Sequence, residues 1–328
     1  MAENNIAYTP VRLGARDIPP PVTISPAAQQ ILSNGASLPR TVWPSPNDKD
    51  AWRKQRAASD ATWDQMAAPV LENVRAKVTT TRIAGVQCYD CLPLDEAPGD
   101  GRVYLFIHGG AFVFGGGAFA KLQGARAAAE LGVRTVSVDY RMPPDHPFPF
   151  APEDCVSVYE ALRKSVDPKR IVIGGSSAGG NIAAAATLMI RDRGLPLPAG
   201  TVLLTPEVDL TESGDSFRTN EDIDVVLKGR LPECNALYAA GHDLRDPYLS
   251  PLFGDFTKGF PSTLVQTGTR DLFLSNSVRT HRKLRDAGID AELHVWEAMP
   301  HGGFIPGEAP ENAEIQAEVA RFIRRVVG

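Results

Sequence analysis

Arg170-Ile171-Val172-Ile173-Gly174-Gly175-Ser176-Ser177-Ala178-Gly179-Gly180-Asn181 sets a short apolar run before a glycine-serine turn, and an alanine-rich stretch follows. The order reads as a strand, a tight turn and a helix. Within it, Gly175-Ser176-Ser177-Ala178-Gly179 has the form Gly-x-Ser-x-Gly, in which the central serine sits on a strained turn and the flanking glycines let strand and helix approach. The Ser177 hydroxyl would then project above the sheet. The amides that open the next helix would face the reaction centre, where helix-end partial charge favours a developing oxyanion. Alone the pattern is weak, because with 29 glycines in 328 residues it also fits a flexible glycine turn. The strand before it and the helix after it make Ser177 a candidate nucleophile.

A second apolar run, Val103-Tyr104-Leu105-Phe106-Ile107, ends in His108-Gly109-Gly110-Ala111-Phe112. This resembles the His-Gly-Gly-Gly loop of lipases and esterases, whose backbone amides complete an oxyanion hole with the amide that follows the nucleophile. The candidate donors are therefore Gly110, Ala111 and Ala178. Ala111 stands where that loop usually carries its last glycine, which keeps the amide and adds a methyl. His108 and Gly109 are expected to hold the loop, not to move protons. A phosphate cradle is disfavoured, since no Lys-Ser/Thr pair and no Gly-x-Gly-x-x-Gly helix start accompany these glycines.

In this kind of sheet the acid and base follow the serine, acid first. Thr263 to Thr267 reads as a strand, and Gly268-Thr269-Arg270-Asp271-Leu272 follows, so Asp271 falls at a strand's C-terminal end. Glu292 to Trp296 reads as another strand and leads into Met299-Pro300-His301-Gly302-Gly303. Among the six histidines, only His301 occupies a loop after the last strand. Ser177, Asp271 and His301 are thus the candidate nucleophile, acid and base. Glu297 is the next candidate for the acid.

Over roughly residues 75–328 the chain resembles the hormone-sensitive-lipase-like bacterial carboxylesterases of the α/β-hydrolase superfamily. Val138-Asp139-Tyr140-Arg141-Met142-Pro143-Pro144-Asp145-His146-Pro147 resembles that family's Asp-Tyr-Arg-Leu-Ala-Pro-Glu-His segment. The chain departs from the family in having Ser176 before the nucleophile and two glycines after His301. The resemblance implies a mostly parallel eight-stranded sheet flanked by helices, with a helical cap. It implies a serine carboxylesterase that splits short- to medium-chain acyl esters through an acyl-enzyme. Alternatives are a lactone hydrolase or amidase on the same three residues, or a non-enzymatic small-molecule receptor. None of these steps calls for a metal or a cofactor, and none is expected.

Seven strand candidates (86–92, 103–107, 135–138, 171–173, 202–205, 264–267 and 292–296) alternate, after the first pair, with helical stretches at 118–131, 152–164, 178–193, 275–287 and 311–327. That alternation indicates an α/β fold with a parallel sheet covered on both faces. The catalytic core is expected at 77–206 and 252–328. Residues 1–76 are proline-rich and then amphipathic from Asp48 to about Ala76, and by the resemblance they and 207–251 are expected to form the cap. A surface extension or oligomer contact is the other reading.

The net charge of −5 and sequence pI near 5.7 disfavour nucleic acid and anionic membrane surfaces. The expected partner is a small neutral ester or lactone, with a homodimer admitted. The longest apolar run, Ile182 to Ile190, is far short of the roughly 20 residues a membrane span needs. Met1 to Asn5 has neither the basic start nor the apolar centre of a signal peptide, so a cytoplasmic location is expected. Cys88 and Cys91 have redox or zinc spacing, but in a strand that spacing sends the two side chains to opposite faces.

Overall fold

The computed structural model describes residues 9–95 and 101–328; the signal-peptide reading of Met1 to Asn5 lies outside them. In chain order the elements are α1 (Pro26–Ala36), α2 (Lys49–Leu71), β1 (Ala76–Ile83), β2 (Val86–Pro93), β3 (Val103–Ile107), α3 (Ala118–Leu131), β4 (Arg134–Asp139), α4 (Phe150–Leu162), β5 (Ile171–Ser176) and α5 (Ala178–Asp192). Then come β6 (Gly200–Leu204), α6 (Ser216–Thr219), α7 (Pro232–Ala239), β7 (Ser262–Gly268), α8 (Leu274–Asp286), β8 (Ala291–Trp296) and α9 (Pro310–Val327). The eight strands form one sheet in the order β1-β2-β4-β3-β5-β6-β7-β8. β2 runs antiparallel to both β1 and β4, and the rest of the sheet is parallel.

Strand alternation divides the core into two layers. Leu105, Ile107, Ile171, Ile173, Leu203 and Val265 face α4, α5 and α8 and pack on Val156, Ile182 and Leu284. Tyr104, Phe106, Val172, Val202 and Leu264 face the other way, onto Ala127 and Leu131 of α3 and Val319, Phe322 and Ile323 of α9. Being covered on both sides is why the central strands read as unbroken apolar runs. α5 is buried from Ala178 through Ile190, which matches its alanine-rich sequence. α9 instead shows one apolar stripe, with Ile315, Val319, Phe322, Ile323 and Val327 buried.

β1 has no counterpart among the sequence-read strands. Its sequence, Ala76-Lys-Val-Thr-Thr-Thr-Arg-Ile83, is polar, and it lies at the sheet edge paired only with β2. Cys88 and Cys91 lie on β2 in separate apolar clusters, consistent with opposite faces, and burial pushes both thiols up to about 12.

Helix α1 and the 207–251 segment are latched to elements that flank the sheet. α1 is fixed where the Ser25 backbone N–H and hydroxyl donate to the Glu311 carboxylate at 2.6 and 2.8 Å, and Ile24, Ala28 and Leu32 pack on Met299 and Phe304. The 207–251 segment contributes only the short helices α6 and α7. It is tied to α8 by the Arg279 guanidinium, 2.6 Å from buried Asp209. No helix among the described residues is long and apolar enough to cross a membrane.

Candidate active site

Parallel strands deliver the loops after β3, β5, β7 and β8 to one edge of the sheet, and the predicted residues all lie there. Ser177 is the single residue between β5 and α5, with φ 58° and ψ −123°. This left-handed conformation is costly for a side chain and is held by neighbours on both sides. The Ser177 N–H donates to Leu204 O at 2.8 Å, and its carbonyl accepts from Asn181 N at 3.1 Å. The first turn of α5 lies so close to the end of β3 that a Cβ on Gly179 would stand 2.1 Å from Ile107 O, so only glycine fits.

The loop after β3 lies beside this turn. Gly110 has φ 122°, and a Cβ there would stand 2.2 Å from Phe114 O. Ala111 and Phe112 also have positive φ, 50° and 65°. The usual glycine at the Ala111 position therefore matches a backbone that alanine adopts only under strain. The loop is pinned from behind by His108, fully buried and stacked on Tyr140 with ring centroids 4.2 Å apart. His108 Nδ1 lies 2.8 Å from Gly109 O; a carbonyl only accepts, so Nδ1 carries the hydrogen. Burial lowers the His108 pKa and keeps the ring neutral. Tyr140 in turn donates to His108 O, and its neighbour Arg141 pairs with buried Asp154 at 2.6 Å. The Asp-Tyr-Arg segment therefore buttresses the glycine loop.

Asp271 is completely buried, and His301 nearly so. His301 Nδ1 lies 3.0 Å from Asp271 Oδ1, whose carboxylate also accepts from Thr267 Oγ1 at 2.7 Å and Phe273 N at 2.9 Å. A carboxylate has no hydrogen to give, so Nδ1–H donates and Nε2 is left free to take a proton. The Phe273 and His301 rings pack nearly perpendicular to each other, with centroids 4.8 Å apart. Glu297 is exposed and does not enter this constellation.

Ser177, His301, Gly109, Gly110 and Ala111 line one cavity of about 1090 Å³. That volume lies just above the range of about 300–1,000 Å³ common for small-molecule sites. Trp43 from the N-terminal segment and Leu227 and Leu231 from the segment after β6 also line it. Among the described residues, no group of three or more His, Cys, Asp or Glu side chains is arranged to hold a metal ion.

Three residues of the 207–251 segment that have no sequence signal bind the turn that carries Asp271. Ser216 Oγ donates to Leu272 O at 2.7 Å, and Asn220 Nδ2 donates to Asp271 O at 2.8 Å. Asp224, fully buried, accepts from the backbone of Leu272 at 2.8 Å and of His301 at 3.2 Å. Burial and the neighbouring Asp271 charge push the Asp224 carboxyl up to about 6. Each acts through one side chain on a remote backbone group, which leaves no local motif.

The model of an alpha/beta hydrolase fold family matches residues 104–305. An esterase from Acinetobacter venetianus is 29% identical over 263 residues, 79% of this chain and 86% of that protein. Esterase LipU from Mycobacterium tuberculosis is 29% identical over 314 residues, 92% of this chain and 100% of its own length. Among solved structures, that of an esterase E25 matches with a TM-score of 0.87 at 36% identity, covering 97% of this chain and 99% of that one. That of an esterase from the bacterial hormone-sensitive lipase family matches with a TM-score of 0.76 at 30% identity, covering 93% and 99%.

Proposed function

The chain belongs to the α/β-hydrolase fold family, with the hormone-sensitive-lipase-like bacterial carboxylesterases, and from that premise we propose that it hydrolyses short- to medium-chain acyl esters through an acyl-enzyme on Ser177. It is a carboxylic ester hydrolase. The observation that carries the finer reading is the buried His301–Asp271 contact at 3.0 Å, opening on the same cavity as the strained Ser177 turn.

A serine hydroxyl is a poor nucleophile at neutral pH, so His301 Nε2 takes its proton as Oγ attacks the ester carbonyl. Asp271 fixes the tautomer and stabilises the imidazolium. The amides of Gly110, Ala111 and Ala178 hold the tetrahedral oxyanion, each such donor being worth about 3 kcal/mol of barrier in other systems. The alcohol leaves with the proton from His301. Water then attacks the acyl-enzyme by the same route and frees the carboxylic acid. Residues 1–76 and 207–251 serve as the cap that shapes the acyl pocket, a reading supported by Trp43, Leu227 and Leu231 in the cavity wall. The substrate is a small neutral ester dissolved in water.

A fluorophosphonate probe tests the nucleophile. Labelling at Ser177, with hydrolysis of p-nitrophenyl acetate reduced by several orders of magnitude in Ser177→Ala, is expected. Near-wild-type turnover in that variant refutes the proposal.

A further inference from the structure

Asp224 sits where a carboxylate is expensive. It is fully buried beside the Asp271 carboxylate, and burial and that charge push its own carboxyl up to about 6. A neutral hydrogen-bonding residue would avoid this electrostatic cost. Its partners give the reason for the charge. Oδ1 accepts from Val226 N at 2.9 Å and Leu227 N at 3.1 Å, which fixes the carboxylate to its own turn. Oδ2 accepts from Leu272 N at 2.8 Å and His301 N at 3.2 Å. One anion thus grips the residue after the acid and the amide of the base itself. Four residues earlier, Asn220 Nδ2 holds the opposite polarity of the same turn, donating to Thr269 O at 3.1 Å and Asp271 O at 2.8 Å. The ionisable groups bearing on Asp224 are Asp271 and His301, and its hydrogen-bond partners are backbone amides.

We propose that Asp224 is a positioning residue for ester hydrolysis: from the segment after β6 it clamps the His301 amide to the acid turn, setting the imidazole's place and adding a second negative charge near the imidazolium. This rests on the reading of Ser177, Asp271 and His301 as the reacting set. The geometry explains why the clamp matters for rate, since a displacement of about 1 Å in a reacting group can cost roughly 100-fold. Asn220 orients the same turn without contributing charge.

The test uses Asp224→Asn and Asn220→Ala in the full chain, with p-nitrophenyl acetate as substrate. An asparagine places an NH₂ against backbone donors whichever way it turns, so kcat should fall about 10- to 100-fold while KM stays within about threefold. Removing the charge from near His301 should also move the acid limb of kcat/KM to lower pH. Asn220→Ala should lower kcat with the acid limb unmoved. Asp224→Asn within twofold of wild-type kcat, or a loss equal at every pH, overturns the proposal. If Asp224→Asn does not fold, Asp224→Glu decides, because it keeps the charge on a longer tether: reduced kcat with an unmoved acid limb supports the clamp, and wild-type kcat overturns it. Fluorophosphonate labelling of Ser177 in each variant separates this outcome from the underlying one. An unlabelled wild-type Ser177 sinks the reacting set, whereas labelled variants of unchanged rate sink only the clamp.

Discussion

Replacing Asp271 with asparagine separates two roles that an acid beside a histidine can play, orienting the ring and stabilising its charge. Oδ1 of Asp271 receives both His301 Nδ1–H at 3.0 Å and Phe273 N–H at 2.9 Å, whereas Oδ2 meets only the Thr267 hydroxyl at 2.7 Å. An amide will therefore turn its carbonyl toward the two donors and its NH₂ toward Thr267, whose hydroxyl can rotate to accept. The tautomer survives and the charge is lost. With about 4 Å between charge centres and an effective dielectric constant near 20, the lost attraction to the imidazolium is about 4 kcal/mol, or about 10³-fold in rate. The assay is kcat/KM for p-nitrophenyl butyrate at pH 6–9, with folding checked by circular dichroism. Asp271→Asn should be reduced about 10³-fold, and Glu297→Gln should stay within twofold of wild type. A folded Asp271→Asn within tenfold of wild type would refute the assignment of the acid.

At Ala111, φ 50° makes glycine the easier residue. Relief of roughly 1 kcal/mol of strain is offset by a similar gain in unfolded-chain freedom, so Ala111→Gly should keep both Tm and activity near wild type, and thermal melts with initial rates check this. Proline there would disturb φ as well as remove the donor, so it cannot isolate the amide's role. Asp224 makes a pH prediction whose sign follows from its raised carboxyl. Its folded value of about 6 exceeds the ordinary value near 3.9, so its contribution to stability is present below about pH 4 and is lost as pH rises through about 6. Melts from pH 4 to pH 7 should show wild type losing ground to Asp224→Asn across that interval; parallel curves would exclude it. For the acyl pocket, rates on dissolved p-nitrophenyl esters should rise through short chains and fall beyond roughly eight carbons, because each methylene gains about 0.8 kcal/mol only while there is apolar wall to cover it. A rate still climbing at sixteen carbons would disprove that limit.

The α/β class was legible because local rules carry it. Val103–Ile107 and Ile171–Ile173 must be covered on both faces, and α5 and α9 carry the composition and periodicity of packed helices. The glycine turns announced where Ser177 and the loop at Gly110 would stand, since close approach and positive φ leave a mark on residue type. Edge strand β1 escaped notice because its exposed residues are polar and its pairing with β2 is not encoded in any apolar period.

The amino-acid sequence by itself determined the alternation of strands and helices and the residues at the strand ends. Ser177, Asp271 and His301 each lie just past an apolar run, and parallel strands bring such positions to one edge. Only the tertiary structure decided how they are held. Asp224 and Asn220 reach the acid turn across about 50 residues of chain, and Asp224 reaches His301 across 77. Tyr140 supports His108 from 32 residues away. A side chain bonded to a distant backbone group depends on where the chain returns, not on the identity of its sequence neighbours, so no local pattern records it.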